Sequence, residues 1–197
     1  WIVFGGNAML ALDWCEILES FDEGGVVFLL VDYPGYGDSE GHSTPETIAE
    51  SGVSVIDTFV ETFVEGKQVP KVGIFGHSLG CAAALQLATS RQVDRVILSS
   101  PFTSTMDMTR LIVGRWAVPF LRHRFDNLTK MREVLESDHH PEIHIFHGAK
   151  DALIPVAMGR HLASLDECIQ FHEDVSSDHN TILDVCREQI HSRFVIE

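Results

Sequence analysis

A serine lies between two glycines in the stretch GHSLG, residues 76–80. An apolar run ends at Phe75, and a run rich in alanine and leucine follows. A strand that gives way to a helix within a few residues needs a sharp turn, and the flanking glycines remove Cβ atoms that would clash there. The turn exposes the hydroxyl of Ser78 near the N-terminal N–H groups of the helix. The pattern predicts a nucleophilic serine, and the alternative is a serine that only caps the helix.

Serine attacks a carbonyl carbon effectively only when a base accepts its proton. Where a sharp strand-to-helix turn carries the nucleophile, the acid and then the histidine follow it along the chain. Asp151 lies in HGAKDALIP, just after an apolar run, and His179 lies in VSSDHNTIL, just after the last one. Both are expected at the same sheet edge as Ser78. We therefore predict His179 as the general base and Asp151 as the carboxylate that orients its ring.

Other side chains near these residues compete for the same roles. Asp178 adjoins His179 and is the chief alternative acid, and Asp174 is a weaker alternative. His77 precedes the serine, but we expect the turn to direct its ring away from the nucleophile. His147 is expected to shape the loop that follows its strand.

Acyl transfer also places negative charge on the carbonyl oxygen of the substrate, and N–H groups must stabilise that charge. One predicted donor is the N–H of Leu79, the residue after the serine. The second is predicted in the glycine-rich loop after the first strand, where we favour the N–H of Asn7, with Ala8 as the alternative. A plain glycine-rich turn would account for the same loop.

Apolar runs alternate with stretches of helical periodicity along the whole chain. The predicted strands are 1–4, 26–31, 72–75, 93–99, 143–146 and 168–171. The predicted helices are 10–21, 45–64, 79–90, 157–165 and 181–194. This alternation predicts an α/β fold with a doubly wound, mostly parallel sheet of about six strands and helices on both faces. The run at 26–31 is apolar throughout, which is typical of a strand buried on both faces.

The stretch at about 103–141 interrupts the alternation. We predict a small cap insertion there, with one or two helices, within a single domain that spans 1–197. Such an insertion would lie above the carboxyl ends of the strands, where ligands bind, although an ordinary long crossover is the alternative. Phe102, Trp116 and Phe120 are candidates to line an acyl pocket. Their other possible role is to cover the edge of the sheet.

Composition narrows the function classes. The chain has 197 residues, 45% hydrophobic, with a formal net charge of −15. The hydrophobic content excludes a disordered chain. The acidity argues against nucleic acid as a partner and predicts repulsion from an anionic membrane surface. No apolar run approaches the roughly 20 residues of a membrane span.

The four cysteines are widely spaced and form no CxxC pair. They favour reduced thiols and a cytoplasmic location. The histidines between 139 and 147 lack convincing ligand spacing, so we predict no metal site. The first residue, Trp1, has the character of a strand interior, which leaves open a preceding signal or anchor.

Taken in order, these motifs resemble the α/β-hydrolase superfamily over nearly the whole chain. The matching stretches are FGGNAM (oxyanion loop), VDYPGYGDSEG (loop after the next strand), GHSLG (nucleophile elbow), HGAKDALIP (acid loop) and DHN (histidine loop). SSPFTS and RFDNLTKM resemble parts of small-cap serine hydrolases, a group with protein depalmitoylases and many esterases. In the oxyanion loop, Gly5 occupies the position where the superfamily usually has histidine. A full domain usually has eight strands, so two more would precede Trp1.

The resemblance implies hydrolysis of a carboxylic ester or thioester of a small-molecule or acylated substrate, without a cofactor. Two alternatives remain: a serine peptidase of the prolyl-oligopeptidase type, and a binding protein that keeps the pocket without the chemistry. The set of Ser78, Asp151 and His179 favours an enzyme over a binding protein. The length of the chain leaves no room for the gating domain of such a peptidase.

Overall fold

The computed structural model describes residues 1–19, 21, 24–64 and 70–196. The strands are β1 (Ile2–Phe4), β2 (Leu29–Val31), β3 (Gly73–His77), β4 (Arg95–Ser99), β5 (Glu142–Gly148) and β6 (Gln170–Asp174). The helices are α1 (Asp13–Leu18), α2 (Pro45–Phe63), α3 (Gly80–Ser90), α4 (Thr105–Ile112), α5 (Asn127–Leu135), α6 (Val156–Ala163), α7 (Ile182–Val185) and α8 (Arg187–His191), with a 3₁₀ helix at Arg115–Phe120.

The strands form one parallel sheet in the order β2-β1-β3-β4-β5-β6. The register aligns Phe4 of β1 with Gly76 of β3, and Gly76 with Leu98 of β4. Because the strands are parallel, the loops that follow β1, β3, β5 and β6 all emerge at one edge. These loops contain the residues predicted to form the active site.

Alternate residues of the central strands pack on opposite faces of the sheet, as strand geometry requires. On β3, Ile74 belongs to the core beneath α2, α3, α5 and α6, whereas Phe75 packs on the other face with Trp14 and Phe194. Helices α1, α7 and α8 cover that second face. The predicted doubly wound sheet of about six strands, with helices on both faces, is confirmed.

Two predicted elements differ from the structure. Only Leu29–Val31 of the apolar run 26–31 pairs as a strand, and β2 is the outermost of the six described strands, half-buried at Leu29 and Leu30. The prediction that this run is buried on both faces is therefore wrong. The predicted helix 181–194 is two short helices, α7 and α8, because the backbone leaves helical geometry at Cys186.

Only part of the segment 103–141 leaves the sheet. Ser104 and Asp126 form an antiparallel bridge at its base, and the N–H of Thr105 donates to the carbonyl of Phe125 at 2.9 Å. Helix α4 and the 3₁₀ helix lie between these two contact points. Helix α5 packs against α3 and connects to β5 as a crossover helix. The excursion from the sheet is therefore shorter than the predicted cap. Within the described part of the chain, no helix has the length and apolar character needed to cross a membrane.

Helix α3 approaches β1 and β3 so closely that a side chain would not fit between them. A Cβ atom on Gly80 would lie 2.1 Å from the carbonyl oxygen of Phe4, and one on Gly76 would lie 2.3 Å from the carbonyl oxygen of Gly80. Both distances are far below van der Waals contact, and both partners are backbone atoms. Between the two glycines, Ser78 adopts φ +55°, a conformation that few residues other than glycine adopt.

We expect Gly80→Ala to lower the free energy of unfolding by at least about 2 kcal/mol, because the added methyl group meets backbone that cannot rotate away. Gly24→Ala is the matched control, since a Cβ atom there meets nothing within 4 Å. Urea titration followed by tryptophan fluorescence measures both values. Equal stability of the two variants would show that the close approach is not required.

Candidate active site

The side chains of Ser78, His179 and Asp151 form one hydrogen-bonded line. Nε2 of His179 lies 3.0 Å from Oγ of Ser78, and Nδ1 lies 2.7 Å from Oδ2 of Asp151. The loops after β3, β5 and β6 bring together residues that are 28 and 101 positions apart in sequence. A carboxylate only accepts hydrogen bonds, so Nδ1 of His179 carries the proton and Nε2 accepts from the serine hydroxyl.

The carboxylate of Asp151 is buried, and donors surround it. Its Oδ1 accepts the N–H groups of Leu153 at 2.9 Å and Ile154 at 2.7 Å. Nε2 of His147 donates to the carbonyl of Ile154 at 2.9 Å and lies 3.4 Å from Oδ2 of Asp151. Burial by itself would raise the pKa of Asp151, but the polar ring of His147 beside it and the hydrogen bonds from His179 and Ile154 outweigh burial and hold the pKa well below its usual value. The carboxylate is therefore ionised at neutral pH.

Backbone contacts hold the acid loop against the histidine loop. The N–H of Ala149 donates to the carbonyl of Asp174 at 2.8 Å, and the N–H of Lys150 donates to the carbonyl of Ser177 at 3.0 Å. A Cβ atom on Gly148 would lie 2.4 Å from the carbonyl oxygen of Ser177. Glycine at position 148 therefore allows the approach that aligns the two side chains.

The two alternative acids are engaged in their own turns. Oδ1 of Asp178 accepts the N–H groups of Asn180 at 3.1 Å and Thr181 at 2.9 Å. Oδ1 of Asp174 accepts the N–H of Ser176 at 2.9 Å and that of Ser177 at 2.7 Å. These bonds stabilise the loop that carries the histidine, and Asp151 is the carboxylate that bonds to its ring.

His77 lies closer to the site than the sequence suggested. Its Nδ1 is 3.1 Å from Oγ of Ser99 rather than bonded to the nucleophile, yet its ring centroid is 5.0 Å from that of His179. The ring is buried, and burial lowers the pKa of His77 to about 3. A neutral imidazole therefore packs beside the proposed base.

The glycine-rich loop after β1 lies beside the serine. A Cβ atom on Gly6 would lie 3.4 Å from the Cβ of Ser78. Within the described residues, the N–H groups of Leu79, Asn7 and Ala8 donate no hydrogen bond. These groups are thus available to an oxyanion, and their role stays a prediction.

Two tyrosines that the sequence analysis did not single out hold this loop in place. The hydroxyl of Tyr33 donates to the carbonyl of Gly5 at 2.6 Å, and the hydroxyl of Tyr36 donates to Oδ1 of Asn7 at 2.8 Å. Their three-residue spacing in VDYPGYG is the only local signal for this pairing.

The absence of a side chain at Gly5 has a local packing reason. A Cβ atom there would lie 3.1 Å from the Cβ of Met9 and 3.3 Å from Nε1 of Trp14, which is fully buried. Trp14 and Met9 occupy the space around this position. A side chain at position 5 would therefore require these two neighbours to shift.

The three candidates for an acyl pocket differ in exposure. Phe102 is buried in the core, whereas Trp116 is 71% exposed and Phe120 is 78% exposed. The 3₁₀ helix that carries Trp116 and Phe120 has no buried residue, and the role of the three side chains in substrate binding stays a prediction. An apolar cavity of about 460 Å³, lined by Trp1, Phe59 and other residues, lies at the opposite edge of the sheet and includes none of Ser78, Asp151 and His179.

The buried His77 makes stability depend on pH. Its pKa is about 3 in the folded chain and about 6.5 in the unfolded chain. Between these values the unfolded state binds more protons, so stability is full above pH 6.5 and falls as the pH decreases toward 3. The slope is at most about 1.4 kcal/mol per pH unit.

We therefore expect His77→Asn to flatten the loss of unfolding free energy between pH 7.5 and pH 5, measured by urea titration. His139→Asn is the control, because His139 is exposed. An unchanged slope in His77→Asn would contradict the assignment of a buried, neutral imidazole.

Known proteins share sequence and fold with this chain. A model of the alpha/beta hydrolase family matches residues 4–183. The human Protein ABHD12B is 28% identical over 161 residues, which cover 75% of this chain and 43% of that protein. An uncharacterised protein of Mycobacterium tuberculosis is 27% identical over 166 residues, which cover 83% of this chain and 56% of that protein. The chain spans about half the length of the curated relatives it matches.

Solved structures share the fold at low sequence identity. The monoacylglycerol lipase of Paleococcus ferrophilus has a TM-score of 0.68 at 17% identity, over 98% of this chain and 92% of that chain. An esterase of Pyrococcus furiosus has a TM-score of 0.68 at 16% identity, over 98% of this chain and 79% of that chain. Together with the family model that matches residues 4–183, the six-stranded sheet establishes that this chain belongs to the alpha/beta hydrolase family.

Proposed function

We propose that this chain hydrolyses carboxylic esters or thioesters through an acyl-enzyme on Ser78. The observation that carries the proposal is the bridge made by His179, which is 3.0 Å from the serine oxygen and 2.7 Å from Asp151. A hydroxyl, an imidazole and a carboxylate in that order form the arrangement that activates a serine. The lipase and the esterase that share the fold support an ester as the substrate class.

In the proposed first step, Oγ of Ser78 attacks the carbonyl carbon of the substrate while Nε2 of His179 takes its proton. The electron pair of the carbonyl bond moves to oxygen. We assign stabilisation of that oxyanion to the N–H of Leu79 and to the N–H of Asn7 or Ala8. The ionised Asp151 stabilises the imidazolium through Nδ1.

Collapse of the tetrahedral intermediate breaks the bond to the alcohol or thiol, which takes the proton from Nε2 of His179. The acyl group is then bonded to Oγ of Ser78. In the second half of the reaction, His179 removes a proton from water as the water attacks the acyl carbon. The carboxylic acid leaves, and Ser78 regains its proton.

A fluorophosphonate tests the nucleophile directly, because Oγ of an activated serine displaces fluoride from phosphorus. We expect one adduct, on Ser78, located by mass spectrometry, and no adduct in Ser78→Ala. We expect His179→Ala to slow the labelling at least about 100-fold, because the base is lost. An unlabelled but folded wild-type protein would contradict the proposal and favour a binding protein. A labelled protein that cleaves amides but not esters would favour the peptidase.

The carboxylate is tested with a matched pair of substitutions. In Asp151→Asn the amide can donate to Nδ1 of His179, which moves the imidazole proton to Nε2 and removes the acceptor for the serine proton. We expect kcat for a p-nitrophenyl ester to fall about 10³- to 10⁴-fold. In Asp178→Asn the side-chain carbonyl can still accept the N–H groups of its own turn, so we expect a change of less than about threefold. Equal losses in the two variants would contradict the role given to Asp151.

A further inference from the structure

One surface of the excursion has an unusual composition. Residues 110–124, RLIVGRWAVPFLRHR, contain four arginines and one histidine but no aspartate or glutamate. The whole chain, in contrast, has 29 acidic residues against 14 basic ones. We call residues 110–124 the arginine-rich surface.

The same residues expose large apolar side chains. Leu111, Ile112, Val113, Trp116 and Phe120 are each more than half exposed. Leu111 and Ile112 end helix α4, which has no buried residue, and Val113 is its C-cap. Trp116 and Phe120 belong to the 3₁₀ helix that packs against α4. Isolated exposed apolar residues are normal, but a contiguous group marks a binding surface.

Most of the arginines on this surface form no ion pair within the described part of the chain. Arg110 pairs with Asp107 at 2.6 Å. Arg115, Arg122 and Arg124 form no ion pair with any residue that the structure describes, and Nε of Arg124 makes only a long contact, 3.4 Å, with the carbonyl of Leu121. The surface therefore combines three guanidinium groups that have no carboxylate partner among the described residues with exposed aromatic and aliphatic side chains.

We propose that the arginine-rich surface docks on a lipid bilayer that contains anionic lipids. Tryptophan and phenylalanine insert at the boundary between headgroups and acyl chains, and arginine is attracted to anionic headgroups while its aliphatic stem contacts apolar surface. The alternative, a wholly apolar partner, would leave the guanidinium groups without counter-charges. The bilayer interface places anionic headgroups next to apolar acyl chains, which match the guanidinium groups and the exposed apolar side chains.

The net charge of −15 led us to expect repulsion from an anionic membrane. The local distribution changes that expectation, because salt screens charges beyond a Debye length of about 10 Å at 0.1 M. Carboxylates elsewhere on the molecule are then screened, and the arginines that touch the headgroups dominate. The hydrogen bonds at the base of the excursion, between Thr105 and Phe125, fix this surface to the edge of the sheet that carries Ser78.

Vesicle flotation tests the proposal independently of catalysis, because the protein used is Ser78→Ala. We expect at least about tenfold more binding to vesicles of phosphatidylcholine and phosphatidylserine, at about 7:3, than to phosphatidylcholine alone, with weaker binding at high salt. We expect the double substitution Trp116→Ser/Phe120→Ser and the double substitution Arg115→Gln/Arg122→Gln each to reduce binding at least about fivefold.

Matched controls are available on other faces. Phe63 is 64% exposed at the end of α2, and Arg132 is exposed on α5. We expect Phe63→Ser and Arg132→Gln to bind vesicles like the parent protein, with circular dichroism confirming that all variants fold.

Three results would overturn the proposal. The first is equal binding to vesicles with and without phosphatidylserine, and the second is an equal loss of vesicle binding in the control variants. The third is a dimer in sedimentation equilibrium that Trp116→Ser/Phe120→Ser dissociates. The last result would assign the surface to a second copy of the chain. Fluorophosphonate labelling of the wild-type protein separates this proposal from the proposed hydrolase function. A protein that is labelled but does not bind vesicles would refute only the docking of the arginine-rich surface on a bilayer.

Discussion

Helix α3 meets the ends of β1 and β3 with only glycine between them, and the position of the serine follows from that contact. Gly80 lies against the carbonyl groups of β1, which pulls the start of the helix directly over the sheet. The backbone must then reverse within one residue, and Ser78 adopts a positive φ. Such a conformation costs about 1–3 kcal/mol. The N–H of Ser78 donates to the carbonyl of Ser99 at 2.8 Å, and the thiol of Cys81 bonds to the carbonyl of Gly76 at 3.2 Å. These buried bonds help to offset the strain.

The charge states of Asp151 and His77 depend on their burial and on the hydrogen-bond donors around them. An ionised carboxylate inside a protein is stable only when its oxygens are satisfied. Leu153, Ile154 and His179 satisfy Asp151, so it can hold its charge beside the imidazole. His77 stays neutral because it is buried, with a pKa of about 3. It therefore adds no positive charge next to His179, and the ionised carboxylate of Asp151 is the charge that faces the His179 ring.

Local sequence patterns were enough to find the residues that follow strands directly. Ser78, Asp151 and His179 each lie in a turn after an apolar run, and parallel strands bring such turns to one edge whatever the strand order. The position of a strand within the sheet is not local information. The run 26–31 has the composition of a central strand, yet β2 is the outermost of the six strands that the structure describes. Similarly, the aromatic character of Trp116 and Phe120 could not show that they face solvent.

His147 links the carboxylate of Asp151 to helix α6. Its ring is fully buried against Asp151, and Gly159 of α6 lies beside it: a Cβ atom there would be 2.4 Å from Nδ1 of His147. Glycine inside a helix costs roughly 1 kcal/mol relative to alanine. Helix α6 tolerates that cost because the ring of His147 occupies the space that a side chain at position 159 would need. The same ring lies 3.4 Å from the carboxylate that bonds to His179. His147 thus helps to fix the position of Asp151 and, through it, that of His179.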